Sequence, residues 1–426
     1  MEKLYLKVLL IVFIFSSLAG VKPLSGQFNR DRSVLISVTV TENPPSITLK
    51  WPKFTDATSL RLFRKSKEAK DWGNTYATLG LTDSTFTDTL VKMGEGYEYF
   101  IFKEGGTTPA LGNVFSGINY KPADLHGVIG LLVDSAYLVP LAQEIEQLEL
   151  DLIGDGWQIH RLVVGRKESP KDVRNKIRAI KGLKAVFLLG NIPIPYSGNI
   201  VPDGHSDHKG AWPCDGYYAD TNGFWFDMGV SNSGASRVEN RNVPGDGKWD
   251  ANTFENDGAD IPIGRVDMTK LPAFASQTDA DLVKYYLQKN HNFRFKLLTA
   301  PRRALIDDNF QSYTIASSNW RNFAPMVGHD NIVQNGQNGV DYYSTLKDNW
   351  YLWSGGAGAG SYNSCGGTIN TNQFAADSIK TIFTSLAGSY FGDWDSQDNL
   401  LRAALASKPG ILASFWGGIP NWVLHH

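Results

Sequence analysis

From Leu125 onward the chain alternates two periodicities, and this alternation restricts the fold more than any other feature of the sequence. Val128-Ile129-Gly130-Leu131-Leu132-Val133 is a continuous apolar run, the mark of a parallel strand buried on both faces, with Asp134 at its carboxyl end. Leu138, Leu141, Ile145, Leu148 and Leu152 then recur at three- and four-residue steps, which predicts an amphipathic helix. Trp157 to Val164 reads as the next strand. Ser169 and Pro170 supply an N-cap and a first-turn proline for a second helix, whose apolar face is Val173, Ile177 and Ile180. Ala185-Val186-Phe187-Leu188-Leu189 is again a buried strand, closed by Gly190 and the Ile192-Pro193-Ile194-Pro195 turn. Two successive β-α-β units predict a parallel sheet with helices on both faces, an α/β fold.

The rhythm breaks between Ser197 and Asp260, a segment rich in Gly, Asp and Asn. A long irregular insertion in a compact domain is usually functional or tied down by a metal. Asp246, Asp250, Asp257 and Asp260 crowd this insertion, and oxygen ligands on such loops suit a hard cation, calcium above all, although the pattern is not an EF-hand. His205-Ser206-Asp207-His208, followed by Cys214 and Asp215, offers zinc-capable side chains, but the spacing matches no closed zinc site and reads as a solvated polar loop. The alternation resumes at Ile261 to Arg265, in a helix from Asp279 to Gln288, and at Ala304 to Asp307. It closes with a helix from Asn399 to Ala406 and a strand from Ile411 to Trp416.

Ahead of the α/β region the periodicity is different. Residues 1–26 hold Lys3 and Lys7, the apolar stretch Val8 to Phe15, and then small residues, the layout of a secretory signal peptide. That stretch is short for a membrane span, and no later run reaches the ~18 apolar residues that a membrane helix needs. Over residues 33–120 apolar and polar residues alternate around Ile47, Leu49 and Trp51, Leu60 and Leu62, and Tyr97, Tyr99 and Ile101, with turn-rich segments between. This predicts an all-β sandwich. The early strand ending in Trp51 and the late Gly96-Tyr97-Glu98-Tyr99 strand resemble a fibronectin type III module. Two cysteines exclude a disulfide framework, and export with so few suits a bacterial envelope protein. With 41 basic and 43 acidic residues there is no basic footprint for nucleic acid.

A site is expected where neighbouring strands of the α/β region end. Trp350 to Trp353 reads as a strand running into a loop, Gly355 to Ser361, whose glycines favour positive φ and close approach. Thr381 to Leu386 reads as the next strand, ending in Gly388-Ser389-Tyr390-Phe391-Gly392-Asp393-Trp394-Asp395. Gly356, Gly358 and Gly360 do not fit a dinucleotide fingerprint and no Gly-Lys-Ser/Thr follows, so no nucleotide is expected. Nor does Gly388 to Gly392 have the Gly-x-Ser-x-Gly spacing of a nucleophile elbow.

This stretch resembles the catalytic region of the gingipain family, secreted cysteine peptidases with a caspase-like fold. The likeness is carried, in order, by Leu189 to Tyr196, Asp215 to Asp220, Asp260 to Arg265 and Trp350 to Asp395, and spans residues 125–426. It implies a caspase-like parallel sheet sandwiched by helices, and calcium as a bound ion. Where the family carries a His within a Gly-rich loop this chain has Ala357, and Ser385 falls near the position of the catalytic Cys. The resemblance therefore implies a domain without the family's activity. Its former cleft, around Gly356, Gly358, Gly360, Tyr362, Tyr390 and Trp394, would bind an extracellular protein, peptide or glycan. The alternative is a working secreted cysteine endopeptidase with a displaced catalytic pair, for which Cys365 is the candidate nucleophile. The family's further C-terminal sorting module is not recognisable before His426, which implies a C-terminally truncated chain.

Overall fold

The computed structural model describes residues 26–67, 69–106, 108–120, 124–254, 258–310, 317–334 and 340–417. Period-two alternation in the N-terminal region produces two antiparallel sheets. One holds β1 (Ser37–Thr41), β2 (Ser46–Lys50) and β5 (Thr85–Asp88) in that order. The other is ordered β4 (Ala77–Thr78), β3 (Ser59–Ser66), β6 (Gly96–Glu104) and β7 (Ala110–Gly117). Ile47 and Leu49 of the first and Leu60, Leu62, Tyr99 and Ile101 of the second share one apolar core, all at 0% exposure. Polar tips entering that core are satisfied: the Trp51 indole donates to Asp83 O at 2.9 Å, and the Tyr99 hydroxyl donates to Asp88 Oδ2 at 2.9 Å.

The apolar runs beyond Leu125 are parallel strands, as their composition requires. They are β8 (Gly127–Asp134), β9 (Trp157–Val164), β10 (Leu183–Leu189), β13 (Ile263–Val266), β14 (Ala304–Asp308), β15 (Ile332–Gln334), β16 (Tyr351–Ala357), β21 (Thr381–Ala387) and β23 (Ala413–Trp416). The numbers between belong to short antiparallel or two-residue pieces, among them β11 (Tyr196–Ile200) with β12 (Gly210–Pro213) in the insertion, and β18 (Ser364–Cys365). The strands divide into two sheets instead of forming one: β13-β10-β8-β9 and β15-β14-β16-β21-β23. Ranked by position in the chain, both read 2-1-3-4 from one edge, the second adding a fifth strand. In each, the first strand lies between its successor and the third, the switch point outside which α/β sites form.

The helix Asp279–Arg294 joins the two sheets. Thr278 and Asp281 close a capping box at its start. On its buried face Tyr286 donates to Leu412 O at 2.9 Å, and Lys289 donates to Leu405 O at 2.6 Å and Ser407 O at 2.9 Å. Burial lowers the Lys289 pKa well below that of a free lysine. Leu131, Leu189 and Val266 of one sheet, Leu305 and Leu386 of the other, and Ile411 just before β23 belong to one continuous core that includes this helix. Ser169 caps the helix Pro170–Arg178 as the sequence predicts, accepting from Asp172 N at 3.1 Å.

The N-terminal region is docked on the α/β region. Leu35, 2% exposed, packs among Ala304, Ile306, Trp320, Phe323, Ala324 and Val327. Beside it Ser33 Oγ donates to Ser317 O at 3.1 Å, and Asn29 Nδ2 donates to Asp308 Oδ2.

Strand β16 runs further than its composition suggests. Gly355, Gly356 and Ala357 pair with both β14 and β21, so the loop starts only at Gly358. A Cβ on Gly355 would lie 2.3 Å from Asn319 Nδ2, and one on Gly356 would lie 2.4 Å from Thr368 Cγ2. These glycines answer crowding from neighbours. Positive φ instead falls at Gly367 (φ 73) and Tyr390 (φ 69).

Candidate functional site

The carboxyl ends of β16 and β21 lie side by side, with Ala357 opposite Ala387 and Gly358 N donating to Ala387 O at 3.0 Å. Ser385 is two residues inside β21, fully buried between Gly355 and Phe415, and its hydroxyl has no hydrogen-bond partner among the described residues. Ala357 is 1% exposed. Cys365 sits on β18, buried, with Sγ 3.7 Å from Ala387 O; burial pushes its thiol up to about 12 against a hydrogen bond from Thr368. Burial likewise raises Cys214 to about 11. A thiol nucleophile needs a lowered pKa and access. Cys365 has neither, and Cys214, half-buried, lacks the lowered pKa.

What projects beyond β21 is Gly388, Ser389 and Tyr390. Backbone packing fixes this turn: a Cβ on Gly358 would lie 2.0 Å from Gly366 O, and one on Gly360 would lie 2.4 Å from Ser389 N. Tyr390 holds φ 69, a costly conformation for a bulky side chain that surrounding contacts must impose. Those contacts come from the insertion. Asp203, whose side chain is fully buried, takes the Tyr390 N–H on Oδ2 at 3.2 Å and the His205 N–H on Oδ1 at 3.3 Å. His205 Nε2 reaches Ser389 Oγ at 2.7 Å, and its ring stacks on Tyr390 with centroids 5.5 Å apart.

Behind this pair lies a buried charge network. His208 Nδ1 is 2.6 Å from Asp203 Oδ2, and its Nε2 is 3.1 Å from Asp393 Oδ2. Burial opposes protonation of His208, but Asp203 and Asp393 outweigh it and raise the pKa to about 9. Arg237 donates to Asp393 Oδ1 at 3.0 Å and to both oxygens of Asp395 at 2.8 and 2.6 Å. Asn240 also donates to Asp393 Oδ1, at 2.8 Å, and the Tyr196 hydroxyl donates to Asp395 Oδ2. The Asp395 carboxyl is held below the usual range: burial works against this, and the Arg237 contacts prevail.

Of the aromatic residues expected at the cleft, Tyr362 and Tyr390 meet, with ring centroids 5.2 Å apart. Trp394 does not join them. Its ring lies under the Arg265 guanidinium at 4.7 Å, in a separate cavity of about 250 Å³ shared with Arg402 and Ser414. Of the residues that build the site, Asp203, Arg237, Asp393 and Asp395 are signalled by no motif; His205 and His208 lie in the run read as a solvated polar loop, but the His208 side chain is 2% exposed and belongs to the buried network. One hint is the pair Asp393 and Asp395 after a buried strand, which requires a cation from elsewhere in the chain.

Of the four aspartates expected to hold calcium, the three described ones organise local backbone. Asp250 accepts from Met228, Gly229 and Val230 N–H groups at 2.7 to 3.2 Å. Asp260 accepts from Thr221 and Asn222, and Asp246 from Val243 and Lys248. These bonds hold Asp250 and Asp260 below the ordinary carboxylate range although burial acts against it. Asp257 lies outside the described residues. Among the described residues no three His, Cys, Asp or Glu side chains converge as a metal site.

No family model matches the chain, and no curated protein matches it. Among solved structures it is similar in part to pectate lyase PelI from Erwinia chrysanthemi, at 14% identity over 25% of this chain and 33% of that one, with a TM-score of 0.18. It is also similar in part to pectate lyase Pel3 from Pectobacterium carotovorum, at 12% identity over 38% of this chain and 44% of that one, TM-score 0.18. The chain thus spans less than half of either, and likeness at this level carries no argument about fold or activity.

Proposed function

We propose that the chain is a secreted, cell-surface protein of the bacterial envelope whose gingipain-like, caspase-like region has lost thiol catalysis. It binds an extracellular protein, peptide or glycan at the cleft around Tyr362 and Tyr390, with the fibronectin type III-like sandwich as a spacer. One observation carries this reading: both thiols have raised pKa values, and the one beside the end of β21, Cys365, is buried away from substrate. The cleft keeps a rigid, polar and aromatic floor, which suits recognition of a polar chain. Calcium belongs to the proposal through the oxygen-rich insertion.

The test is hydrolysis of unstructured protein and of Arg- or Lys-containing peptides, with and without reductant and calcium. No thiol-dependent turnover is expected. Turnover abolished by a thiol alkylator and by Cys365→Ala would overturn the reading in favour of a displaced catalytic pair. A companion glycan- and peptide-array screen should give hits that weaken on Tyr362→Ala.

A further inference from the structure

The loss of a thiol centre leaves Ser389 and His205 unexplained. We propose that they form a serine–histidine acyl-transfer pair acting on small esters at the mouth of the cleft. This goes beyond the binding reading and rests on different side chains.

The first support is contact. Ser389 Oγ and His205 Nε2 are 2.7 Å apart, within the reach that a general base needs to take a hydroxyl proton. With the ring proton on Nδ1, Nε2 is the acceptor. The second support is place: Ser389 sits in the turn just past the carboxyl end of β21, beside the end of β16, so its backbone is anchored to two paired strands. It is only half-buried and His205 is exposed, so a substrate reaches both.

The third support is preorganisation. The two residues are 184 positions apart, and a chance surface contact at that separation would hang on mobile side chains. Here one buried carboxylate fixes both supporting backbones, since Asp203 accepts the His205 N–H and the N–H of Tyr390, the residue after Ser389. His208 locks Asp203 in turn, and Asp393 with Arg237 locks His208. The Tyr390 ring then stacks on the His205 imidazole and limits its rotation. Asp203 is a positioning residue in this arrangement. Strain at φ 69 on Tyr390 is of the kind that persists where surrounding structure imposes it at a functional turn.

The chemistry balances with water as the second reactant. Ser389 Oγ attacks the ester carbonyl carbon while His205 Nε2 takes the hydroxyl proton. The carbon–alkoxy bond breaks, and the proton passes to the departing oxygen, releasing an alcohol. Water, deprotonated by the same imidazole, then attacks the acyl-serine. The acyl–Oγ bond breaks, Oγ regains the proton, and a carboxylic acid leaves.

A fluorophosphonate probe tests the first half of this sequence on the full chain, because Oγ–P bond formation with loss of fluoride needs the same activated serine. Expected is a single adduct mapped to the Ser389 peptide, absent in Ser389→Ala and formed at least about 100-fold more slowly in His205→Gln, as loss of a general base typically costs. Cys365→Ser should label like the parent chain. With p-nitrophenyl acetate, Asp203→Asn should lower kcat and leave KM unchanged, which a merely structural role would not do. Unfolding curves confirm that each variant is folded. Absence of an adduct on folded protein, an adduct at another residue, or equal labelling of His205→Gln overturns the proposal. Array hits without an adduct would sink this inference and leave the binding reading standing; an adduct without hits would do the reverse.

Discussion

Replacing His208 by Gln should change the pH dependence of stability in a defined window. The His208 side chain is 2% exposed and lies between Asp203 and Asp393, so its charge is not screened by solvent. Its folded pKa of about 9 stands above the 6.5 of a free imidazole. A raised folded pKa means that the native state holds the proton more tightly than the unfolded chain does. The resulting stability is complete below 6.5 and is lost as pH rises through 9. At about 1.4 kcal/mol per pKa unit the difference amounts to about 3 kcal/mol. Urea unfolding of the parent and His208→Gln, followed from pH 6 to pH 10, measures it directly. At pH 6 the variant should be less stable, because two buried carboxylates lose a cationic partner. The gap between the two proteins should shrink by about 3 kcal/mol towards pH 10, while other titrating groups cancel because both proteins carry them. A gap of constant size across this range would show that His208 is not held as an imidazolium, and the account of the network would fall.

Limited proteolysis should cut between Asn119 and Leu125, since Ile118 is fully buried in the N-terminal core and Leu125 is 77% exposed. The fragments should co-elute in size-exclusion chromatography, held by the apolar contact of Leu35; Leu35→Ala, costing about 2–5 kcal/mol, should weaken that association, and separation of the parent fragments would count against the docked arrangement. Adding millimolar calcium to chelated protein should raise the melting temperature by the equivalent of about 1 kcal/mol, with bound calcium found by elemental analysis. An unchanged melt and no bound metal would remove calcium from the proposed function.

The individual strands and helices of the α/β region were legible because each needs one buried face or two, and burial writes itself into residue spacing. Trp157 to Val164 and the Ser169 cap came out as read. The division into two sheets was not legible, since the period of a buried strand says nothing about which strands it joins. The end of β16 was misplaced for a related reason: glycines at 355 and 356 look like a loop, but the crowding by Asn319 and Thr368 that demands them comes from distant segments. The site was the least legible part. Asp203, His208 and Arg237 come from an insertion without periodicity, and their partners at Asp393 and Asp395 lie more than 150 residues away. Trp394 was expected at the cleft from its place in the loop, but it stacks under Arg265 instead.

The docking of Leu35 and Asn29 has a consequence for the order in which the chain folds. Asn29 meets Asp308 across 279 residues, and Leu35 finishes in a cavity whose walls, from Ala304 to Val327, emerge from synthesis or export much later. Closing so long a loop early carries a heavy entropic cost. The segment Asn29 to Ile36 therefore has to wait, with an apolar side chain uncovered, until β14 and the helix Ser317–Val327 are in place. In a chain that folds outward from its N-terminus, this seam closes late, and until it does the uncovered Leu35 segment is open to aggregation and to chaperone capture.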